Sequence, residues 1–453
     1  MMMVQEVARV LHAKLHGEDV LFTGVSTDSR TVKQGDLFVA LSGKNFDGHK
    51  FVARAKEKGA VAAMVSQESA IKSQDLEVPM ILVKDTRLGL GQLAAYWRGR
   101  FTIPLVAVTG SNGKTTVKEM IASILQQLVG EVGKVLATVG NLNNDIGVPQ
   151  MLLQLREQHE YAVIEMGMNH FGEISYLTRL AKPSVALITN AGTAHIEELG
   201  SVEGVARAKG EVFEGLDKLV GIAVINADDS NAQLWRNLAG SRPVIDFGLR
   251  KGTEVGGYYQ LNLTDTEMKL KLPDGVVDVK LKVPGEHNVR NALAAAAAAV
   301  AMGISKENIV SGLSRFNGVK GRLQKKRCQH DAMLIDDSYN ANPESVRAAL
   351  AVLAKCPGKK ILVLGDMGQL GENTVDFHER IGEEARLIGI DRLFALGELS
   401  AHSVMKFGKG AQHFMRIEDL LTAVETLLAP NVTLLVKGSR FMQMERVVKN
   451  FEL

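Results

Sequence analysis

Residues 105–118 read LVAVTGSNGKTTVK, and this stretch decides the fold. A β-branched apolar run ends at Thr109, a Gly-rich turn follows, and Lys114 and Thr115 open a long helical pattern. Strand, glycine turn and helix in that order make a phosphate cradle. Gly110 and Gly113 let backbone N–H groups come close to phosphate oxygens, and the helix N-terminus adds unpaired donors and a positive dipole end. Lys114 has the reach for β and γ phosphates, and the Thr115 hydroxyl suits Mg²⁺. Residues Thr109, Gly110, Ser111, Asn112, Gly113, Lys114, Thr115 and Thr116 are therefore the expected ATP-binding segment. The full G-x-x-x-x-G-K-[ST] pattern is broken at Val108, where a glycine is expected. The competing reading is a strand–turn–helix with a solvated lysine, and the flanking strand and helix favour the nucleotide site.

The pattern around the cradle predicts an α/β chain in three segments. Residues 1–82 mix short strands (36–41, 62–66) with a helix over 49–60. Residues 83–313 begin with a helix over 89–101 and contain further buried-strand runs, YAVIEMG (161–167), SVALITNAG (184–192) and GIAVINADD (221–229), separated by helical patterns. Short apolar runs ended by Gly, Asn or Asp and alternating with helices predict a doubly wound, mostly parallel sheet. TEMKLKLPDGVVDVKLKV (266–283) alternates apolar and polar residues around Pro-Asp-Gly, which predicts a β-hairpin added antiparallel to that sheet. The Ala-rich run 292–302 reads as a buried helix. Residues 314–453 form a second, Rossmann-like α/β unit, with strands at 332–338, 359–367, 392–397 and 432–439.

Composition narrows the class. The chain has 453 residues, and 53 Lys+Arg against 51 Asp+Glu leave a net charge of +2, which offers no basic surface for nucleic acid or an anionic membrane. Two cysteines, Cys328 and Cys356, imply no disulfide framework. The N-terminus lacks the apolar core of a signal peptide, and no run approaches the ~20 apolar residues of a membrane span. These features predict a cytoplasmic enzyme.

Polar residues cluster where the strands end, which is where open α/β sheets bind ligands. Glu165 ends a buried strand and suits Mg²⁺ beside Thr115, or else caps a loop amide. His195 follows SVALITNAGTA and is either a metal ligand or a hydrogen-bonded structural histidine. Lys209, in GVARAKGEVF, is by itself an ordinary helical lysine. DDSYNANPES (336–345) sets two carboxylates and two amides at a strand end, and Asn342-Pro343 also reads as a helix start. Lys437 and Arg440 in VKGSRFMQME suit an anionic ligand at another strand exit, against a default of surface solvation.

TGSNGKTT, GEHNVRNALAA and DDSYNANP, in this order and on this layout, resemble the Mur ligase family of cell-wall amino-acid ligases. TDSR (27–30), GDLFVALSGKNFDGHKF (35–51), GNLNNDIGVP (140–149), LGDMGQLGE (364–372) and VKGSR (436–440) point within it to the branch that adds a dipeptide. The Val108 departure is usual in that family. The resemblance implies an ATP-dependent ligase that joins D-alanyl-D-alanine to UDP-N-acetylmuramoyl-tripeptide through an acyl phosphate. It implies that Lys114, Thr115 and Glu165 hold the ATP phosphates and a first Mg²⁺. His195 would serve a second Mg²⁺, with Lys209 carbamylated. It gives Asn288 to adenine, Arg322 to ATP phosphate and Asp337 to ribose. Thr27, Asp28, Ser29, Arg30, Asp47, Gly48 and His49 would line the UDP site. Asn143 and Asn144 would meet the muramoyl peptide, and Asn340 and Asn342 would lie near the dipeptide and ATP. The expected partners are these small molecules alone, with the chain a monomer. Two other readings are a folylpolyglutamate-synthase-like enzyme, opposed by TDSR…FDGH and VKGSR, and an ATP-gated scaffold, opposed by Glu165, His195 and Lys209.

Overall fold

The computed structural model describes residues 1–43, 46–66, 78–131 and 133–453. Its centre is a six-stranded, all-parallel sheet in the order Val135–Ala137, Tyr161–Glu165, Leu105–Thr109, Val185–Ile188, Ile222–Asn226 and Val244–Phe247. The inner strands are continuous apolar runs because both faces are covered. Alternation decides which side chain goes where. Val106, Val108, Val163 and Leu187 pack with helices Lys114–Val129 and Glu286–Ala301. Leu105, Ala107, Ile164 and Ile188 pack on the other face with helices Thr86–Arg98 and Glu173–Ala181. The chain leaves Leu105–Thr109 toward one edge of the sheet and later returns to its other side, so the P-loop lies at the topological switch point.

The 266–283 hairpin is present but is not an addition to this sheet. Thr266–Leu272 and Gly275–Leu281 join Gly256–Leu261 in a separate three-stranded antiparallel sheet. It is linked to the central edge strand only through a bridge between Phe247 and Val255. The alternating pattern supplies one apolar face, with Met268, Leu270, Leu272, Val279 and Leu281. That face is buried in the core around the Ala-rich helix, a better cover than a solvated sheet edge.

The first unit is a five-stranded sheet ordered Lys14–His16, Met80–Val83, Ala62–Ser66, Asp36–Val39 and Gly24–Ser26, antiparallel only in its first pair. The last unit is six-stranded: Gln324–Arg327, Met333–Asp337, Val432–Lys437, Lys359–Gly365, Arg392–Leu396 and Ala411–Phe414, with only the first strand antiparallel. Among the described residues no helix is long and apolar enough to cross a membrane.

One buried cation ties the base of the P-loop strand in place. Arg98 ends its helix at 7% exposure and has no carboxylate partner among the described residues. Its guanidinium donates to the carbonyls of Ala181 (2.9 Å), Phe101 (2.6 Å), Ile103 (3.2 Å) and Lys182 (3.5 Å). Arg98→Ala should therefore cost ~3 kcal/mol, because several carbonyls lose their donor together. Urea unfolding should show a lowered midpoint, and Arg98→Lys should recover little because an ammonium cannot span the same fork of acceptors. A midpoint equal to wild type would show that the four carbonyls find other partners.

Candidate active site

The P-loop backbone takes a shape open only to glycine at two points. Gly110 has φ +147°, and a Cβ there would lie 1.8 Å from Thr189 Oγ1. Gly113 has φ +83°, and its Cβ would lie 2.3 Å from Asn291 Oδ1. The loop is held from the neighbouring strand exit: Ser111 N–H donates to the Asn190 carbonyl (3.0 Å), Asn112 N–H to Asn190 Oδ1 (2.9 Å), and Thr189 Oγ1 to the Asn112 carbonyl (2.6 Å). Gly113 caps the following helix without a side chain, so no side chain blocks the first-turn N–H groups. Lys114 Nζ folds back to donate to the Gly110 carbonyl at 2.7 Å.

Beside the loop, Thr115 Oγ1 donates to Glu165 Oε2 (2.9 Å) and accepts from Arg322 Nη2 (3.0 Å). Asn143 Nδ2 donates to the other Glu165 oxygen at 2.8 Å, and Glu165 N–H donates to Thr138 Oγ1 at 2.9 Å. Glu165 is thus both hydrogen-bonded and aimed at the loop. His195 lies in the left-handed region (φ 64°) before the short helix Ile196–Leu199, with Nδ1 buried and unpartnered. Burial, with Lys209 and Lys114 nearby, holds its pKa down to about 4. Lys209 is 2% exposed near the end of helix Val202–Gly210. Burial first, and Lys114 second, push its amine well below the ordinary lysine range. Lys114 is also lowered, chiefly by burial; Glu165 opposes the shift and Arg322 adds to it.

The last unit completes the site. Asp337 accepts from Lys437 Nζ (2.5 Å) and Leu323 N–H (3.2 Å); burial raises its carboxyl while Lys437 and then Arg322 oppose the rise. Asn342 caps helix Pro343–Ala354 in a capping box, and its Nδ2 also reaches Asn112 Oδ1 at 2.9 Å. Glu344 Oε2 accepts from Thr193 Oγ1 at 3.0 Å.

These groups share one cavity of about 900 Å³ at the carboxyl ends of the two large sheets. Ser111 to Thr116, Asn143, Asn144, Glu165, His195, Lys209, Asn288, Arg322, Asp337, Asn340 and Asn342 all line it, and Thr109 and Gly110 support it from below. Some of these side chains are occupied within the fold. Asn144 Oδ1 accepts from Gly147 N–H (2.8 Å), Asn288 Nδ2 donates to the Pro284 carbonyl (2.8 Å), and Asn340 Oδ1 accepts from Ala341 N–H (2.9 Å). Sequence reasoning missed Asn190, Glu344 and Tyr339. Tyr339 carries the Arg322 guanidinium 4.5 Å from its ring centroid; it lies inside a motif already quoted, but no spacing rule singles it out.

The residues expected at the UDP end are not on this cavity. Thr27, Asp28, Ser29 and Arg30 follow strand Gly24–Ser26 in the first unit. Arg30 grips Asp28 in a fork and holds its carboxyl down to about 2. Ser29 is buried, and Thr27 Oγ1 accepts from Gln150 of the central unit. Asp47 caps the short helix Gly48–Phe51, where a Cβ on Gly48 would lie 2.6 Å from the Leu41 carbonyl oxygen. His49 Nε2 accepts from Ser66 N–H (3.0 Å), so the ring proton is on Nδ1, which donates to Asp47 (2.7 Å). Both ring nitrogens are therefore used to pin this loop. Lys44 and Asn45 of the GKNFDGHKF motif lie outside the described residues.

The Thr115 hydroxyl and Glu165 carboxylate are the hard oxygen donors that Mg²⁺ prefers, and His195, whose Nδ1 has no hydrogen-bond partner among the described residues, lines the same cavity. Among the described residues no three His, Cys, Asp or Glu side chains gather as a ready-made metal cage.

Three family models match the chain: the Mur ligase middle domain over residues 108–299, the Mur ligase glutamate ligase domain over 321–440, and the Mur ligase family catalytic domain over 21–98. The UDP-N-acetylmuramoyl-tripeptide–D-alanyl-D-alanine ligase of Escherichia coli K12 is 43% identical over 98% of this chain and 97% of its own. The crystal structure of MurF from Acinetobacter baumannii superposes with a TM-score of 0.90 at 37% identity, covering 98% of this chain and 97% of that one. MurF ligase from Thermotoga maritima in complex with ADP gives 0.81 at 27% identity, over 95% and 97%. With this cavity and these matches along its whole length, the chain belongs to the Mur ligase family.

Proposed function

We propose that this protein is an ATP-dependent ligase that joins D-alanyl-D-alanine to UDP-N-acetylmuramoyl-tripeptide and releases ADP and phosphate. The observation that carries the reading is that Lys114, Lys209 and Arg322 line one cavity at a P-loop, where the Thr115 hydroxyl bonds both Arg322 and the Glu165 carboxylate. A phosphoryl-transfer site needs that positive surplus, whereas an ATP-gated scaffold needs no buried lysine behind its phosphate loop. The relatives named for this reaction, similar over the whole chain, support the choice of substrates.

In the reaction a carboxylate oxygen of the tripeptide attacks the γ-phosphorus, and ADP leaves. The amine of D-Ala-D-Ala then attacks the acyl carbon, a tetrahedral intermediate forms, and phosphate departs with the carboxylate's former oxygen. Lys114, the P-loop amides and Arg322 neutralise phosphoryl oxygens and hold the reactants in line. Thr115 and Glu165 would hold one Mg²⁺, and His195 with Lys209 a second; the cations supply further neutralisation of phosphoryl charge. Lys209 fits carbamylation because burial lowers its proton affinity, which favours the free-base form of the amine that adds to CO₂. The resulting carbamate turns a buried cation into an anionic ligand. Asn288 serves adenine and Asp337 ribose. The Asn342–Asn112 and Glu344–Thr193 contacts draw the last unit over the cavity, where water must be kept from the acyl phosphate.

The division of labour runs 1–82 for the UDP substrate, 83–313 for ATP and 314–453 for the closing Rossmann-like unit. In the first unit Thr27, Asp28, Ser29, Arg30, Asp47, Gly48 and His49 form or support the UDP site. Asn143 and Asn144 meet the muramoyl peptide, while Asn340 and Asn342 lie by the dipeptide and ATP. The protein works as a cytoplasmic monomer on small molecules, with no nucleic acid partner.

Phosphate release tests the function directly. It should require ATP, the UDP-linked tripeptide and D-Ala-D-Ala together. Lys114→Ala should lower it by about 10³-fold with the melting temperature unchanged, since the phosphates lose a cation and the core loses nothing. Release at the wild-type rate without the peptide substrates, or full activity in Lys114→Ala, would rule out the assignment.

Lys209→Ala should also lose most activity. Added bicarbonate should not restore it, because no amine remains to carbamylate, whereas acetate or formate should restore part by replacing the carboxylate oxygens. Wild-type rates in Lys209→Ala would remove the carbamate from the mechanism.

A further inference from the structure

Six cationic side chains among the described residues line the cavity: Lys114, Lys209, Arg290, Arg322, Lys437 and Arg440. Five are already committed. Lys114 lies inside the P-loop, Lys209 is buried, and Arg322 donates to Thr115. Arg290 pairs with Asp228 and Glu286, and Lys437 with buried Asp337. Arg440 differs. Its side chain is 56% exposed, and among the described residues its carboxylate partner is Glu445, 2.9 Å away.

The loop that carries Arg440 is fixed by three strand exits. Ser439 Oγ donates to the Ala341 carbonyl (3.1 Å) and accepts from Gly368 N–H (3.0 Å). Arg440 N–H donates to Asn340 Oδ1 (3.3 Å), and Lys437 Nζ to the Asn340 carbonyl (2.9 Å). The Arg440 guanidinium carbon lies 5.7 Å from the Tyr339 ring centroid, and Arg322 lies 4.5 Å from the same ring. The two guanidinium groups are therefore within about 10 Å of each other, Arg322 bonded to Thr115 of the P-loop helix and Arg440 the more exposed, on the same cavity.

We propose that Arg440 is the specificity-determining cation that binds the terminal carboxylate of the incoming D-Ala-D-Ala. The inference rests on the ligase reading above. An extended dipeptide spans ~7 Å, so one whose amine reaches an acyl phosphate beside Arg322 places its carboxylate near Arg440. A guanidinium suits that carboxylate because its planar fork can donate two parallel hydrogen bonds. Loss of the weak, solvated pairing with Glu445 opposes this little.

Steady-state kinetics with two amines test it: D-Ala-D-Ala, and D-alanyl-D-alaninamide, which lacks the carboxylate charge. The wild type should use the amide about 10–100-fold less well in kcat/KM, the worth of a charge-assisted hydrogen bond. Arg440→Ala should lose a similar factor with D-Ala-D-Ala, through KM, and should discriminate between the two amines by less than about 3-fold. Arg440→Lys should recover part of the preference. KM for ATP and for the UDP-linked substrate should stay within about two-fold of wild type. If Arg440→Ala still prefers the acid as strongly as wild type, the carboxylate is bound elsewhere. Equal weakening of all three substrates would make Arg440 a structural residue. A wild-type protein that ligates neither amine would overturn the ligase reading itself, and this inference with it.

Discussion

The cavity holds two lysines of lowered proton affinity and an arginine at its phosphate loop. Lys114, Lys209 and Arg322 line it together with Glu165, and burial lowers the proton affinity of both lysines. An unpaired buried cation is costly, and the cost is tolerable only where an anion or deprotonation relieves it. Polyphosphate and a carbamate are two such reliefs, and both are chemically apt for carboxylate activation. The switch-point P-loop, the strand-end carboxylate and the arginine brought from the last unit surround these lysines.

The backbone makes that arrangement exact enough to act on substrate. Adjacent parallel strands place Thr109 and Glu165 at the same end of the sheet, so Thr115 meets the carboxylate in the first turn of its helix. Asn112 and Asn342, 230 residues apart, then tie the P-loop to the last unit. The unit that brings Arg322 to the phosphate site also brings Asn342, which couples the two contacts. A reaction with a water-sensitive intermediate benefits from that coupling.

The inner strands of the P-loop sheet were legible because each is an unbroken apolar run stopped by Gly, Asn or Asp, whereas buried Met80–Val83, across which the expected 82/83 boundary falls, was not. Edge strands such as Gln324–Arg327 and Ala411–Phe414 were not, since they are short and polar and depend on a neighbour for their pairing. The hairpin was legible but its placement was not: alternation declares an apolar face without saying which helix covers it. At the site, the P-loop and Glu165 could be read locally. Lys209 could not, because nothing in GVARAKGEVF shows that tertiary packing will bury its amine; only the family resemblance marked it. The two guanidinium groups over Tyr339 likewise depend on contacts between distant segments.

The central claim is that the tripeptide carboxylate is phosphorylated before the amine attacks, and oxygen tracing tests it most directly. UDP-linked tripeptide carrying ¹⁸O in its terminal carboxylate should pass one labelled oxygen to the released phosphate at every turnover, because that oxygen bridges carbon and phosphorus in the acyl phosphate. Product formed with unlabelled phosphate would contradict activation through an acyl phosphate at this P-loop.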